Sequence, residues 1–418
     1  MHLFFPTQMH EQELLHGNTH SRYCAGKHKL FAEFKMKVCI LGPAPPFRGG
    51  IVTYLGMLAR ELKGKGNEVF WSSFKKQYPR FLFPGSDQFG EVASWIRMEN
   101  SPRFVPWSPL SWYRTYRDIR KESPVAVIMK YWLPFFALGY AAIAWMLNRN
   151  TDIKTIYILD NVIPHEKQPF SRVLGKTALS QGYGFIAQSE NVKSDLLSVL
   201  PKVKKDRIKL IPHPVYDFGE PGVERKSKKE ARKSLGLPAD IKVVLFFGFI
   251  KPYKGVNFLI DACPILKDRY GNGVRVLIVG DVYGDSAPYY DRISNSGAED
   301  IITFDNGFVP DSKVEDYFIA SDLLALPYLS ATQSGIIQIA YNYDLPVVTT
   351  DVGGLPEVVH DGVTGFLVPP EDSVKLAEAT IRFFDEDFAS RLAEGIVKEK
   401  HKYSWDNLAS AILAFASD

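Results

Sequence analysis

Between residues 243 and 348 the chain repeats one unit: a short apolar run, a loop holding glycine or proline, and a segment with helical spacing. The apolar runs fall at 243–248, 276–280, 301–304, 323–326 and 347–348, with helical patterns such as 256–266 and 313–320 between them. Strict alternation of this kind predicts a parallel sheet covered by helices on both faces. In such a sheet the ligand crevice lies at the carboxyl ends of the strands.

One stretch concentrates the candidate chemistry. After Leu323-Leu-Ala-Leu-Pro-Tyr328, the loop Ser330-Ala-Thr-Gln-Ser-Gly335 feeds a short helical segment at 336–343, which Pro346 stops. A small-residue loop at a helix start leaves backbone N–H groups pointing outward, and with the helix dipole they favour a phosphate or diphosphate. The next strand, at 347–348, runs into Gly353-Gly354, a second close-approach loop, and then Glu357. Upstream, Phe246-Phe-Gly-Phe-Ile-Lys-Pro-Tyr-Lys-Gly255 repeats the strand–loop–helix order. Lys254 stands just before the helix, where its ammonium can reach a diphosphate held by Ser334-Gly335. A charge-assisted hydrogen bond there contributes about 1.5–3 kcal/mol.

The first half opens in a related way. A strand at 36–42 leads into Pro43-Ala-Pro-Pro-Phe-Arg-Gly-Gly50 and a helical pattern at 51–62. The loop is not G-x-G-x-x-G, which disfavours a nicotinamide cofactor. Residues 71–123, rich in Trp, Phe, Tyr and Arg, depart from a plain α/β rhythm and suit an acceptor or membrane-contact surface as well as a packed core. Residues 132–147 are almost entirely apolar but fall short of the roughly 20 needed to cross a bilayer, and Pro134 lies inside them, so a helix packed on the sheet is expected. A strand at 155–159 ends in Asp160-Asn-Val-Ile-Pro-His-Glu166, whose polar groups face the crevice. Further elements are expected at 170–180, 184–187 and 192–200, before the non-helical Pro212-His-Pro214. Terminal helices are expected at 374–384 and 405–415.

The length of 418 residues suits two domains. Residues 1–35 read as a disordered extension, 36–215 as the first domain, 216–240 as a charged linker and 241–395 as the second domain. Residues 396–418 form a helix expected to return to the first. Three widely spaced cysteines, Cys24, Cys39 and Cys263, fit neither a disulfide framework nor a metal cluster and point to a reducing, cytoplasmic compartment. The net charge of +3 conceals about +13 in residues 36–215 and about −11 in 216–418. A basic first half predicts an anionic partner, such as a phospholipid surface or a lipid-phosphate acceptor. No motif supports nucleic acid. The acidic cluster Asp385-Glu-Asp387 reads as a solvated face, so no metal is expected.

The stretches GFIKPYKGVNFLIDA, SDLLALPYLSATQSGIIQIAY and LPVVTTDVGGLPEVVHDGVTGFLVPPED resemble the family 4 glycosyltransferases of the GT-B type, and GPAPPFRGG, NVIPHE and IPHP look like a bacterial branch of it. The resemblance spans nearly all of 36–418. It implies two Rossmann-like domains facing across a cleft, and metal-independent transfer of a sugar, with retention, from a nucleoside diphosphate to a polysaccharide or lipid-linked acceptor. No cofactor is implied beyond the nucleotide-sugar donor. By position, Lys254 matches the lysine on the donor diphosphate, Ser334 and Gly335 the phosphate loop, Gly50 the first-domain glycine loop, and Val309 the base contact. His165 falls where relatives shape sugar and acceptor.

The departures from the family pattern are specific. Phe249 replaces the usual arginine, and Lys251 is its expected substitute. Gln333 and Gln338 stand where paired glutamates are common, with Gln338 able to bond a ribose hydroxyl. Asp160 stands where relatives often carry histidine. A weakly catalytic or non-catalytic binding subunit and a nucleotide-sugar epimerase of the same fold are the alternatives.

Overall fold

A computed structural model describes residues 35–79, 88–90, 94–96, 99–164, 170–219 and 222–418. Residues 1–34 and the candidate His165 lie outside the described residues.

Seven strands form the first sheet: β1 Lys37–Gly42, β2 Glu68–Phe74, β3 Asn100–Phe104, β4 Ala126–Tyr131, β5 Lys154–Leu159, β6 Gly184–Ala187 and β7 Ile208–Leu210. Its helices are α1 Gly50–Gly64, α2 Pro109–Glu122, α3 Ala137–Asn150, α4 Ser171–Leu179 and α5 Glu190–Val199. The second sheet holds β8 Lys242–Phe247, β9 Val274–Gly280, β10 Ile302–Asn306, β11 Leu323–Leu326, β12 Val347–Thr350 and β13 Gly365–Val368. With it come α6 Lys228–Ser234, α7 Val256–Tyr270, α8 Ala287–Ser294, α9 Asp311–Ala320, α10 Gly335–Asn342, α11 Ser373–Asp385, α12 Ala389–Glu399 and α13 Trp405–Ser417.

Both sheets are parallel throughout, in the orders β3-β2-β1-β4-β5-β6-β7 and β10-β9-β8-β11-β12-β13. Their central strands, β4 and β11 among them, are buried along their whole length, as helices on both faces require. The order turns back between β1 and β4 in one sheet and between β8 and β11 in the other. At such a switch point the loops leave in opposite directions and open a crevice. The loops holding Lys254 and Ser334 follow β8 and β11, so both flank the switch point of the second sheet.

The stretch at 71–123 contains more regular structure than its composition suggests. It supplies most of β2, all of β3 and α2. Strand β3 is an edge strand, Asn-Ser-Pro-Arg-Phe, with only Phe104 fully buried, so it lacks an apolar run. Helix α2 buries Ser111, Thr115, Tyr116 and Ile119 while leaving Leu110 and Tyr113 exposed, which blurs its period. The apolar stretch at 132–147 forms a single turn, Pro134–Phe136, followed by α3, which packs on β5 and between α2 and α4. No helix among the described residues is long and apolar enough to cross a membrane.

The segment expected to be a linker contains α6. A reciprocal cap between Ser227 and Glu230 starts it, and the buried Arg232 ties it to the Ala320 carbonyl at 3.0 Å and to Asp322 at 2.9 Å. Polar residues carry these contacts, which is why apolar periodicity misses them. Helix α13 lies on α1, β5 and β6, with Lys154 and Lys209 donating to the Ala416 and Ala411 carbonyls. The last helix therefore covers the first sheet although it follows the second in sequence.

The loops at the second switch point are locked by backbone contacts. Gly255 has φ 66°, and a Cβ there would sit 1.9 Å from the Pro327 carbonyl oxygen, while the Leu329 N–H donates to the Tyr253 carbonyl at 2.8 Å. Gly255→Ala combines a left-handed backbone with a clash, and should destabilise the protein by about 2 kcal/mol or more. That is at least about 4 °C in Tm for a lobe of this size. Gly64→Ala, with open space around it in α1, should leave Tm unchanged or raise it; equal effects of the two would refute the packing argument.

Candidate active site

The site is built on the start of α10. Ser334 occupies the cap position, yet its side chain makes no capping bond, so the first turn of the helix presents N–H groups without a side-chain acceptor. Ser334 is buried, and its hydroxyl meets only that of Tyr328 among the described residues. The side-chain oxygens of Gln333 and Gln338 are buried and, among the described residues, unpartnered. Unpaired polar atoms this close together are a polar deficit for a protein interior, and a ligand or water relieves it. Gly335 keeps the approach open, since a Cβ there would lie 3.2 Å from the Tyr216 ring.

Lys254 meets this loop through Tyr328. Its ammonium rests 3.7 Å from the centre of the Tyr328 ring, and the Tyr328 hydroxyl faces that of Ser334. Burial, and secondarily the nearby charge of Lys251, brings the Lys254 pKa down to about 8. Among the described residues no carboxylate neutralises it, so an anionic ligand is its natural counter-charge.

A cavity of about 390 Å³ opens beside Lys254. Gly50, Lys251 and Val309 line it together with Lys254, and Phe249 lies in its wall. Phe249 stacks on Tyr283 at 4.6 Å, and the ammonium of Lys251 lies 5.2 Å from the same Tyr283 ring. Of the residues expected at the donor, these four come together here. Ser334 and Gln338 instead line a smaller cavity of about 180 Å³, with Gln333, His213 and Glu357. Gln338, expected to reach a ribose hydroxyl, is thus placed away from the Lys254 cavity. Gly335 lies between the two, on the helix end that separates them.

Other residues singled out by the sequence have partners of their own. The Gly353-Gly354 loop approaches the backbone of Ala331 and Thr332, with the Gly354 N–H donating to the Ala331 carbonyl at 3.2 Å, and Gly354 lines the cavity of Ser334. At Gly353, with φ 57°, a Cβ would overlap that carbonyl. The loop braces the donor loop from behind. Asp160 is committed to Lys130 at 2.5 Å rather than free in the crevice. Asp385 accepts from Arg269 and Tyr270, which occupy it as a surface anchor.

Two contributors escaped the sequence reading. Arg48 reaches from the first half to Asp281 at 3.2 Å and lies 4.0 Å over the Phe308 ring, so it spans the mouth of the cavity. Its position directly before Gly49-Gly50 was the available signal. His213 sits behind Gly335, its Nδ1 2.9 Å from the Pro214 carbonyl and its Nε2 3.4 Å from the Tyr216 hydroxyl. Tyr216 continues the chain to the Gly50 carbonyl at 3.3 Å. Burial, with help from Lys130, lowers the His213 pKa to about 3, so it is neutral at physiological pH and acts as a polar spacer.

The Lys254 geometry has a measurable proton signature. A diphosphate stabilises the ammonium, raising its pKa from about 8 toward or beyond the ordinary 10.5. Between those values, binding must therefore take up a proton. Calorimetric titration of nucleoside diphosphate at pH 8.5 in buffers of different ionisation enthalpy should show uptake approaching one proton, and uptake should vanish in Lys254→Met. Proton release, or no linkage, would contradict the assignment.

Comparison with known proteins agrees in both halves. Residues 48–217 match the family model described as Glycosyltransferase Family 4, and residues 241–386 match Glycosyl transferases group 1. A D-inositol 3-phosphate glycosyltransferase of Acidothermus cellulolyticus is 28% identical over 398 residues, covering 88% of this chain and 86% of that protein. Its namesake in Corynebacterium glutamicum is 31% identical over 219 residues, 51% and 52% of the two chains. Among solved structures, a glycosyltransferase from Rickettsia africae superposes with a TM-score of 0.69 at 17% identity, covering 92% of this chain and 98% of that one. Anabaena HepE in complex with UDP gives 0.68 at 18% identity, with 91% and 100% covered. These establish the two-domain GT-B fold. With both halves matched, the chain belongs to the family 4 glycosyltransferases.

Proposed function

We propose that the protein transfers a sugar, with retention at the anomeric carbon, from a nucleoside diphosphate sugar to an acceptor on a polysaccharide or lipid at a membrane surface. The observation that carries this reading is Lys254, buried beside the 390 Å³ cavity without a carboxylate partner among the described residues and one aromatic ring away from the uncapped start of α10, at the switch point of the second sheet. Diphosphate departure concentrates negative charge on the leaving group. Preorganised N–H groups and an ammonium in a partly desolvated site stabilise that charge, without a metal in the scheme. The aromatic wall of the 390 Å³ cavity, Phe249, Tyr283 and Phe308 with Val309, suits a planar base. HepE, solved with UDP and with UDP-glucose, supports a nucleotide-sugar donor.

Retention follows if the acceptor hydroxyl enters on the face the diphosphate leaves. The first half would deliver it from across the cleft, where Gly50 opens α1 opposite the donor loop. His165 is proposed to orient the sugar or the acceptor. The acceptor reading rests on charge. Around β2, β3 and α2, a cavity of about 360 Å³ gathers Lys75, Lys76, Arg103, Arg114 and Trp107, with Leu110 and Tyr113 exposed nearby. Cations interleaved with exposed apolar groups fit an anionic lipid surface or a phosphate-bearing acceptor. The relatives named for inositol 3-phosphate fit an anionic acceptor equally.

Lys254→Met should lower transfer by at least tenfold while Tm holds or rises, because the folded state no longer desolvates an ammonium. A panel of UDP, GDP and ADP with their sugars, read by thermal shift and then by transfer to lipid extract, identifies the donor. Near-normal transfer by a folded Lys254→Met variant would sink the proposed role.

A further inference from the structure

We infer that Gln333 is the positioning residue of the donor loop, and that the buried Lys130–Asp160 pair of the first half requires a neutral amide at that position. The inference deepens the reading of the Ser334 loop as the diphosphate holder and rests on it.

Lys130 is 1% exposed, an extreme burial for an ammonium, and it has three partners. Asp160 Oδ1 lies at 2.5 Å, Gln188 Oε1 at 3.4 Å, and the Tyr54 ring centre at 3.4 Å beneath it. Gln188 is fixed in turn, its Nε2 donating to the Tyr54 hydroxyl at 2.8 Å. Into this first-half cluster comes one side chain from the second half's donor loop. The Gln333 amide nitrogen donates to Asp160 Oδ1 at 3.1 Å and to Gln188 Oε1 at 3.2 Å. Its neighbour Thr332 donates to Asn161 Oδ1 at 2.5 Å. The next residue is Ser334, the cap of α10.

The chemistry of position 333 follows from these partners. Both acceptors offer lone pairs, so the incoming group must donate. An amide can; a carboxylate cannot, and it would bring a second negative charge to within about 3 Å of Asp160 with one ammonium to share. The two departures from the family pattern, an aspartate at 160 and a glutamine at 333, are therefore one coupled choice: the carboxylate stands on the first half and the amide on the second. The arrangement fixes the direction in which the loop enters α10, and so the aim of its free N–H groups.

The coupling has a specific test, a carboxylate exchange. Gln333→Glu should lower Tm in the nucleotide-free protein and weaken binding of UDP, GDP or ADP, whichever the wild type prefers, by at least tenfold. Donor KM should rise more than kcat falls. Asp160→Asn alone should destabilise, because Lys130 loses its counter-charge. The double variant Asp160→Asn/Gln333→Glu returns one carboxylate to Lys130, now from across the cleft, and should recover Tm and bring nucleotide affinity within about threefold of wild type. A double variant no better than the combined single effects overturns the charge coupling. Recovery of Tm with nucleotide affinity never having changed overturns the positioning role. If the wild type binds none of the three nucleotides, the diphosphate reading and the positioning role fall together, while the Tm cycle still decides the charge coupling.

Discussion

The structure turns on an electrostatic imbalance at one helix end. The start of α10 offers N–H groups that the Ser334 side chain does not cap, and Lys254 adds a cation that no carboxylate among the described residues balances. Proteins rarely leave buried donors and cations uncompensated, because each carries a desolvation cost of a few kcal/mol. Here the deficit is concentrated where the sheet order of the second half turns back, a place where a ligand can enter between diverging loops. The rest of the second half maintains it. Gly255 and Gly353 let backbones approach from both sides, so the loop after β11 is clamped between the loop after β8 and the loop after β12.

The first half is joined to that imbalance by polar contacts of two kinds. Arg48–Asp281 spans the mouth of the larger cavity, and the Lys130–Asp160–Gln333 cluster anchors the loop itself. Both hold charge out of water, and a buried ion pair of this sort is weak evidence for stability, since apolar packing often does as well. Its strength lies in geometry: separating the halves would break Arg48–Asp281 and take the neutral Gln333 amide from Asp160, which keeps Lys130 within the first half, so the favoured arrangement is well defined. A cleft that must exclude water around a leaving diphosphate benefits from that definition more than from a larger apolar contact.

The second half was legible in sequence because its strands are buried on both faces. Val243, Leu277, Leu324 and Val347 sit in short uninterrupted apolar runs, and the loops between them carry the glycines that close packing demands. The loop after β11 was legible as a small-residue entry to a helix for the same reason, since backbone geometry depends on loop type more than on side chains. What stayed hidden depends on partners far apart in the chain. Strand β3 and helix α6 are held by edge pairing and by Arg232, neither of which leaves an apolar period. Residue-level roles were hidden too: nothing local to Gln338 says that it faces the Ser334 cavity and not the one beside Lys254.

Position 333 shows why an amide at the cleft is not by itself a sign of lost activity. Taken alone, an amide in place of a glutamate removes a charge from the site. Beside Asp160 it does not, because the charge is present 3.1 Å away on the opposite half. Local electrostatics depends on the sum of charges near the leaving group and on their distance from it, not on which strand contributes them. Moving the carboxylate from the donor loop to the end of β5 keeps that sum while changing which half carries it. Lys130 and Asp160 balance one another within the first half, and the Gln333 amide adds a neutral donor from the second, so the contact directs the loop without altering the net charge of the cluster.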